Sequence, residues 1–284
     1  MKKRSVDVLV LSDIHLGTYG CQAKELLLYM KSIKPKHVIL NGDIIDIWQF
    51  KKRYWPKSHM KVVKHLMQWI TKGIKVTYIT GNHDEMLRKF EGFQMGSFKI
   101  VNKLILNLGN EKAWIFHGDV FDVTMQHSKW IAKLGAMGYD LLILLNSAVN
   151  YVNKKMGKEP VSMSKKIKNS VKSAVKFIND FEKIAADIAI DNKYEYVICG
   201  HIHQPEMRKI KNEQGAVMYL NSGDWIENLT ALEYVENHWS LYEFAADTQL
   251  QETKNQVADH QEILETEVLF KNMLEDFQLM KSVK

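Results

Sequence analysis

Along the first third of this chain, short apolar runs alternate with helical spacing and polar loops. Residues 6–11 form an apolar run interrupted only by Asp7 and closed by a polar loop, which predicts a buried strand. Residues 26–33 carry helical spacing, Pro35 breaks that helix, and residues 37–40 predict the next strand. Residues 62–70 predict a second helix, Gly73 stops it, and residues 75–80 predict a third strand. This alternation predicts an α/β fold, with helices covering the faces of a sheet.

Beyond Gly96 the pattern changes. Residues 98–108 and 113–116 predict strands joined by short turns, and so do residues 196–199, 217–221, 230–235 and 239–244. Two sheets closing into a β-sandwich flanked by helices account for both groups. A catalytic domain is therefore expected over residues 1–245, containing a helical insertion over about 122–192 that has Pro160 as its only proline. The first part of the insertion is rich in Leu, Ile, Met and Ala. The second is basic, with Lys154, Lys155, Lys158, Lys165, Lys166, Lys168, Lys172 and Lys176 set against Glu159 and Asp180. Two readings of it stand side by side. One is a solvated lysine face over an apolar core, or a dimer surface. The other is a lid or membrane contact in which apolar residues such as Leu141, Leu142, Leu144, Leu145 and Met156 meet acyl chains while lysines meet anionic headgroups. Residues 246–284 are expected to be helical or partly disordered.

Composition adds modest constraints. A 46% hydrophobic and 25% charged chain has the material for a sizeable core. A formal net charge of +6 suits an acidic partner, whether a phosphorylated substrate, an anionic membrane surface or a nucleic acid. Against a nucleic acid, the lysines gather in one insertion, and no basic stripe with interleaved aromatics lies near the motifs. Cys21 and Cys199 form no disulfide framework. With no apolar run long enough for a membrane span and no signal-like apolar region after Met1, a cytoplasmic protein is expected, peripheral at most to the inner face of the membrane.

Five segments share one placement, each following an apolar strand-like run, where open α/β sheets carry their active-site loops. They are Leu11-Ser12-Asp13-Ile14-His15, Asn41-Gly42-Asp43-Ile44-Ile45-Asp46, Thr80-Gly81-Asn82-His83-Asp84, Phe116-His117-Gly118-Asp119 and Cys199-Gly200-His201-Ile202-His203. As candidate ligands they offer two carboxylates, one side-chain amide and five imidazoles. Mixed oxygen and nitrogen donors without thiolate suit Mn²⁺, Fe²⁺ or Zn²⁺ rather than a structural cysteine-rich zinc site. Asp-x-His and His-x-His place two side chains on one side of an extended segment, so both can serve one ion or a pair.

In this order the five motifs resemble the calcineurin-like metallophosphoesterase superfamily. The resemblance implies two divalent metal ions, Mn²⁺ foremost. Asp13, His15 and His203 would hold one, Asn82, His117 and His201 the other, and Asp43 would bridge them. It implies a hydroxide shared by the two metals as the nucleophile. His83 would stabilise the transition state or protonate the leaving group. Asp84 or Asp46 would orient an imidazole, with Asp84 the first choice for His83. Trp48 and Trp225, which flank these loops, are candidates for the substrate pocket or for ordinary core. Asp119 and Asp122 read as support for the site or as favourable charges at a helix start. His127 reads as surface or helix cap.

Within the superfamily, Leu-Ser-Asp-Ile-His-Leu-Gly, Gly-Asp-Ile-Ile-Asp-Ile-Trp, His-Gly-Asp and Gly-His-Ile-His-Gln-Pro are most similar to the UDP-2,3-diacylglucosamine pyrophosphohydrolase group of lipid A biosynthesis. That resemblance implies a peripheral membrane enzyme cleaving a nucleotide-linked glycolipid into UMP and a lipid 1-phosphate. The best-known branch of the group has Arg after the Asn of the third motif, where this chain has His83. A phosphodiesterase or nuclease of the same superfamily is the alternative. A non-catalytic scaffold would show lost ligands, and every motif ligand is present.

Overall fold

The computed structural model describes residues 3–47, 54–121 and 164–258. Two β-sheets pack face to face, and helices cover their outer faces. The first sheet contains β1 (Arg4–Leu11), β2 (Ile33–Asn41), β3 (Lys75–Ile79), β4 (Gln94–Met95), β5 (Phe98–Val101), β11 (Thr230–Val235) and β12 (His238–Glu243), in the order β12-β11-β1-β2-β3-β5-β4. The second contains β6 (Lys103–Leu108), β7 (Glu111–Phe116), β8 (Tyr196–Cys199), β9 (Glu206–Lys211) and β10 (Ala216–Asn221), in the order β6-β7-β8-β10-β9.

The apolar run of β1 is buried on both faces, which is why it reads as nearly continuous. Leu9 and Leu11 face an outer core built with α1 (Ala23–Ser32) and α2 (Lys57–Thr71), including Leu26, Met30, Val62 and Trp69. Val8 and Val10 face the inter-sheet core, where they join Ile39 and Ile79 of the same sheet and Ile115, Ile198 and Leu220 of the other. A third core lies outside the second sheet. There Phe181, Ala185, Ala186 and Ala189 of α3 (Ser164–Asp191) pack on Phe116, Val197, Cys199 and Tyr219. The small alanines let the helix approach the strands closely. Cys199 is a buried free thiol.

The expected mixed α/β sandwich with outer helices is what the chain forms, and several boundaries differ. Pro35 lies inside β2 instead of ending a helix ahead of it. It pairs with Val6 on one side, while pairing with β3 begins only at His37, so a position without an N–H is tolerated there. Residues 98–108 are two strands in different sheets, and Asn102 lies between them. Strand β9 was not predicted; its polar, half-exposed pattern carries little apolar signal. Trp225 is fully buried and stacks on Tyr29, so it belongs to the core and not to a substrate pocket. Helix α3 occupies the second part of the predicted insertion, and α4 (Thr248–Ala258) begins the predicted tail. The readings of Trp48, Asp122, His127, Leu141, Leu142, Leu144, Leu145 and Met156 fall outside the described residues.

Strands β1, β2 and β3 run parallel, as do β7, β8 and β10 in the other sheet. Their carboxyl ends therefore deliver the loops after Leu11, Asn41, Ile79, Phe116, Cys199 and Asn221 to one edge of the sandwich.

Candidate metal centre

The loops at this edge are tied to one another through the backbone. Asp13 N–H donates to the Gly42 carbonyl, His15 N–H to that of Asp43, Gly200 N–H to that of His117, and Trp225 N–H to that of Asp13. Side chains add further ties. Asn41 Nδ2 donates to the Phe116 carbonyl across the two sheets, and the Ser12 and Ser222 hydroxyls lie 2.7 Å apart. Asp13, His15, Asp43, His201 and His203 all have positive φ, between 50° and 69°. This backbone conformation is unfavourable for residues with a Cβ and gathers at sites where the surrounding structure enforces it. Here it turns consecutive side chains toward one point.

The seven expected ligands and His83 meet at this edge. Asp13, His15 and His203 offer one group of donor atoms within reach of a single ion, and Asp43, His117 and His201 offer a second. His15, Asp43 and His83 form a third such group, so proximity alone does not separate His83 from the ligands. His117 Nδ1 donates to the Asn41 carbonyl at 2.9 Å. This fixes the ring so that Nε2 points inward, 3.2 Å from Asp43 Oδ2 and 3.3 Å from Asn82 Oδ1. Backbone carbonyls that accept from one ring nitrogen commonly orient metal-ligating imidazoles in this way. In the other group, His203 Nε2 lies 3.2 Å from Asp13 Oδ1. Buried His15 Nε2 has no hydrogen-bond partner, a costly condition for a polar atom. Carboxylate oxygens and imidazole nitrogens converging in a buried site, one of them orphaned, fit divalent cations.

The charges agree. Burial pushes the Asp13 carboxyl up, but the positive His203 ring beside it prevails and holds it at about 2. Burial likewise works against a charged His203, and Asp13 overrides it to raise the ring to about 9. For Asp43, burial is outweighed by His117, His15 and His83, and the carboxyl stays below its ordinary value. In the metal-free protein the neighbouring carboxylates thus bias the His203 and His117 rings toward the positive form that a cation would replace.

The partner of His83 is Asp46, not Asp84. His83 Nδ1 lies 3.1 Å from Asp46 Oδ2. Burial lowers the His83 pKa, and Asp46 together with Asp43 more than reverses this, leaving it raised. Asp84 points away, because it is engaged by Tyr78 Oη, Gly81 N–H and Ile44 N–H at 2.6, 2.6 and 2.9 Å. It therefore joins the second motif to the third from beneath. Burial and the nearby Asp43 charge raise its pKa. Asp119 opens a short 3-10 turn, Asp119–Phe121, and pairs with Arg88. Asp224 was missed as a site residue. Its Oδ2 lies 3.6 Å from His203 Nδ1, and its Oδ1 accepts the N–H groups of Ile226 and Glu227. Its placement just after a buried strand, like the five motifs, was the signal that could have found it.

Parallel strands of both sheets thus bring histidines and aspartates to one edge of the sandwich, in groups able to hold metal ions. A family model for calcineurin-like phosphoesterases matches residues 6–205, and the chain belongs to that family; it is a metal-dependent phosphohydrolase. Among its curated relatives is a UDP-2,3-diacylglucosamine hydrolase of Blochmanniella pennsylvanica, 24% identical over 247 residues, covering 82% of this chain and 94% of the relative. Another UDP-2,3-diacylglucosamine hydrolase, from Aliivibrio fischeri, is 22% identical over 83% of this chain and 97% of its own length. The DNA double-strand break repair protein Mre11 of Methanococcus maripaludis is 24% identical over 82% of this chain but only 61% of its own length.

Proposed function

We propose that this chain hydrolyses the pyrophosphate bond of a UDP-linked, diacylated glucosamine, releasing UMP and a lipid 1-phosphate. The observation that carries this reading is similarity to the diacylglucosamine hydrolases over nearly their whole length, 94% and 97%. The Mre11 relative and the +6 charge support a second reading, a nuclease acting on DNA.

Asp13, His15 and His203 would hold one cation, Asn82, His117 and His201 another, and Asp43 would contact both. Mn²⁺ suits this mixed oxygen and nitrogen donor set, as do Fe²⁺ and Zn²⁺. When bound, such a pair lowers the pKa of water and neutralises phosphate oxygens. The residues supply the rest. His117 is held in its ligating tautomer by the Asn41 carbonyl. His83, with Nδ1 held by Asp46, would use Nε2 to protonate or hydrogen-bond the leaving oxygen. A lipid substrate would bring the protein to the inner face of the membrane. Among the described residues no helix is long and apolar enough to cross one.

The test is an Mn²⁺-supplemented panel of UDP-2,3-diacylglucosamine, a simple phosphodiester, a phosphomonoester and single-stranded DNA. The expected result is the highest kcat/KM on the UDP-glycolipid, with UMP as product. Faster cleavage of DNA would establish the nuclease reading instead.

A further inference from the structure

The peptide groups around Asn82 are held one by one. Gly81 N–H donates to Asp84 Oδ1 at 2.6 Å, and His83 N–H donates to Asp43 Oδ1 at 2.8 Å. Between them lies the Gly81 carbonyl, part of the peptide that leads into Asn82. It accepts from Arg88 Nη2 at 3.4 Å. The same Nη2 donates to Asp119 Oδ2, two residues after His117. Arg88 is carried on a 3-10 helix, Glu85–Phe90, that follows the third motif directly. One guanidinium thus joins the loop bearing Asn82 to the loop bearing His117.

Space around these loops is tight. A Cβ on Gly81 would lie 2.2 Å from Asp43 Oδ1 and 2.9 Å from the His117 ring. A small rotation of the Gly81–Asn82 peptide therefore moves Asn82 relative to both. Asp119 is almost buried, and it lies two residues from His117. Without Arg88 that carboxylate would be left unpaired beside a ligand ring, which favours distortion of the loop.

We infer that Arg88 is a positioning residue for one metal subsite: through the Gly81 carbonyl and Asp119 it sets Asn82 and His117 at the separation a shared cation needs. The inference rests on the two-cation reading above and is independent of which phosphoester is cleaved. Both contacts come from one nitrogen, Nη2, held at the end of a planar group; a lysine ammonium can also donate to two acceptors but on a shorter, more flexible stem, so Lys restores the function in part.

The experiment is Mn²⁺ titration of the metal-stripped full chain by calorimetry, with thermal unfolding of the same metal-free samples. In Arg88→Met, one of two Mn²⁺ equivalents is expected to bind about 10–100-fold more weakly, as for loss of a group that orients a metal ligand. Arg88→Lys should fall between Met and the parent. In an Asn82→Ala background Arg88→Met should cause little further loss, because its effect runs through Asn82 and the same subsite. If the parent itself binds no Mn²⁺, the metal reading fails and this inference with it. If the parent binds two equivalents and Arg88→Met binds them equally well, the metal reading stands and the positioning role is overturned. Equal added losses from Arg88→Met with and without Asn82 would also overturn it. Should Arg88→Met fail to fold, Arg88→Lys and Asp119→Asn carry the comparison, each expected to weaken the same equivalent.

Discussion

At the scale of single residues, the proposed function divides the site into groups that would hold cations and groups that would act on substrate. Asp43 and His117 sit at the centre, each within 3.2 Å of the other's charged atom. Asp43→Ala or His117→Ala is expected to abolish hydrolysis and to lower metal content, read by elemental analysis of the purified variant. Near-normal turnover in either would remove the two-cation assignment. His83 is held by Asp46 and lies beside the ligands. His83→Ala should reduce kcat by roughly 10²–10⁴, the usual contribution of a general acid, while both cations remain bound. Loss of a cation in that variant would make His83 a ligand. Asp46→Asn should reproduce much of the His83→Ala defect, since the carboxylate holds the ring. The sequence offered two carboxylates for that task; spacing favoured adjacent Asp84, but its side chain turns to Tyr78 and two backbone N–H groups instead.

At the scale of elements, helix α3 connects core packing to the site. Its Phe181 is fully buried, and a Cβ on Gly118 would come within 2.6 Å of that ring. The ring also lies 6.3 Å from that of His201. Phe181→Ala is expected to cost about 3–5 kcal/mol of unfolding free energy, measured by denaturant titration. It should also weaken metal binding by loosening the His117-Gly118 turn; a stability loss with unchanged Mn²⁺ affinity would show that the helix supports the sheet alone. Gly42→Ala provides the complementary case. Its φ is +79°, and a Cβ would meet the His117 ring at 2.3 Å, so metal affinity should fall sharply. The glycines beside Asp43 and His117 were legible as turn residues in the chain. That Gly118 makes room for Phe181, some sixty positions away, was not.

Across the whole molecule, protons and cations compete for the same edge. His203 titrates at about 9 in the metal-free protein against an ordinary 6.5. Its contact with Asp13 therefore contributes stability that is fully present below about pH 6.5 and is lost as pH rises through about 9. Asp13 runs the other way. Its pKa falls from 3.8 to about 2, so its contribution is present above about 3.8 and lost as pH falls through about 2. A cation held by His203, as proposed, would displace its proton, so Mn²⁺ affinity is expected to rise with pH toward about 9. The Mn²⁺-induced increase in Tm should accordingly be larger at about pH 8 than at about pH 6. Saturation at about a hundred times Kd stabilises by about 2.7 kcal/mol per site. An equal increase at both pH values would exclude His203 as a ligand.

By itself the sequence determined the fold class, the five motif segments and the residue types that meet in the site. Those follow from local signals: apolar runs set strands, and polar residues just after buried strands mark the loops at a sheet edge. Only the tertiary structure decided which carboxylate holds His83, that Asp224 belongs to the site, that Trp225 is core, and that Arg88 ties two loops together. Each of these depends on contacts between segments far apart in the chain or on the direction a side chain takes from a strained turn. Neither periodicity nor spacing carries that information.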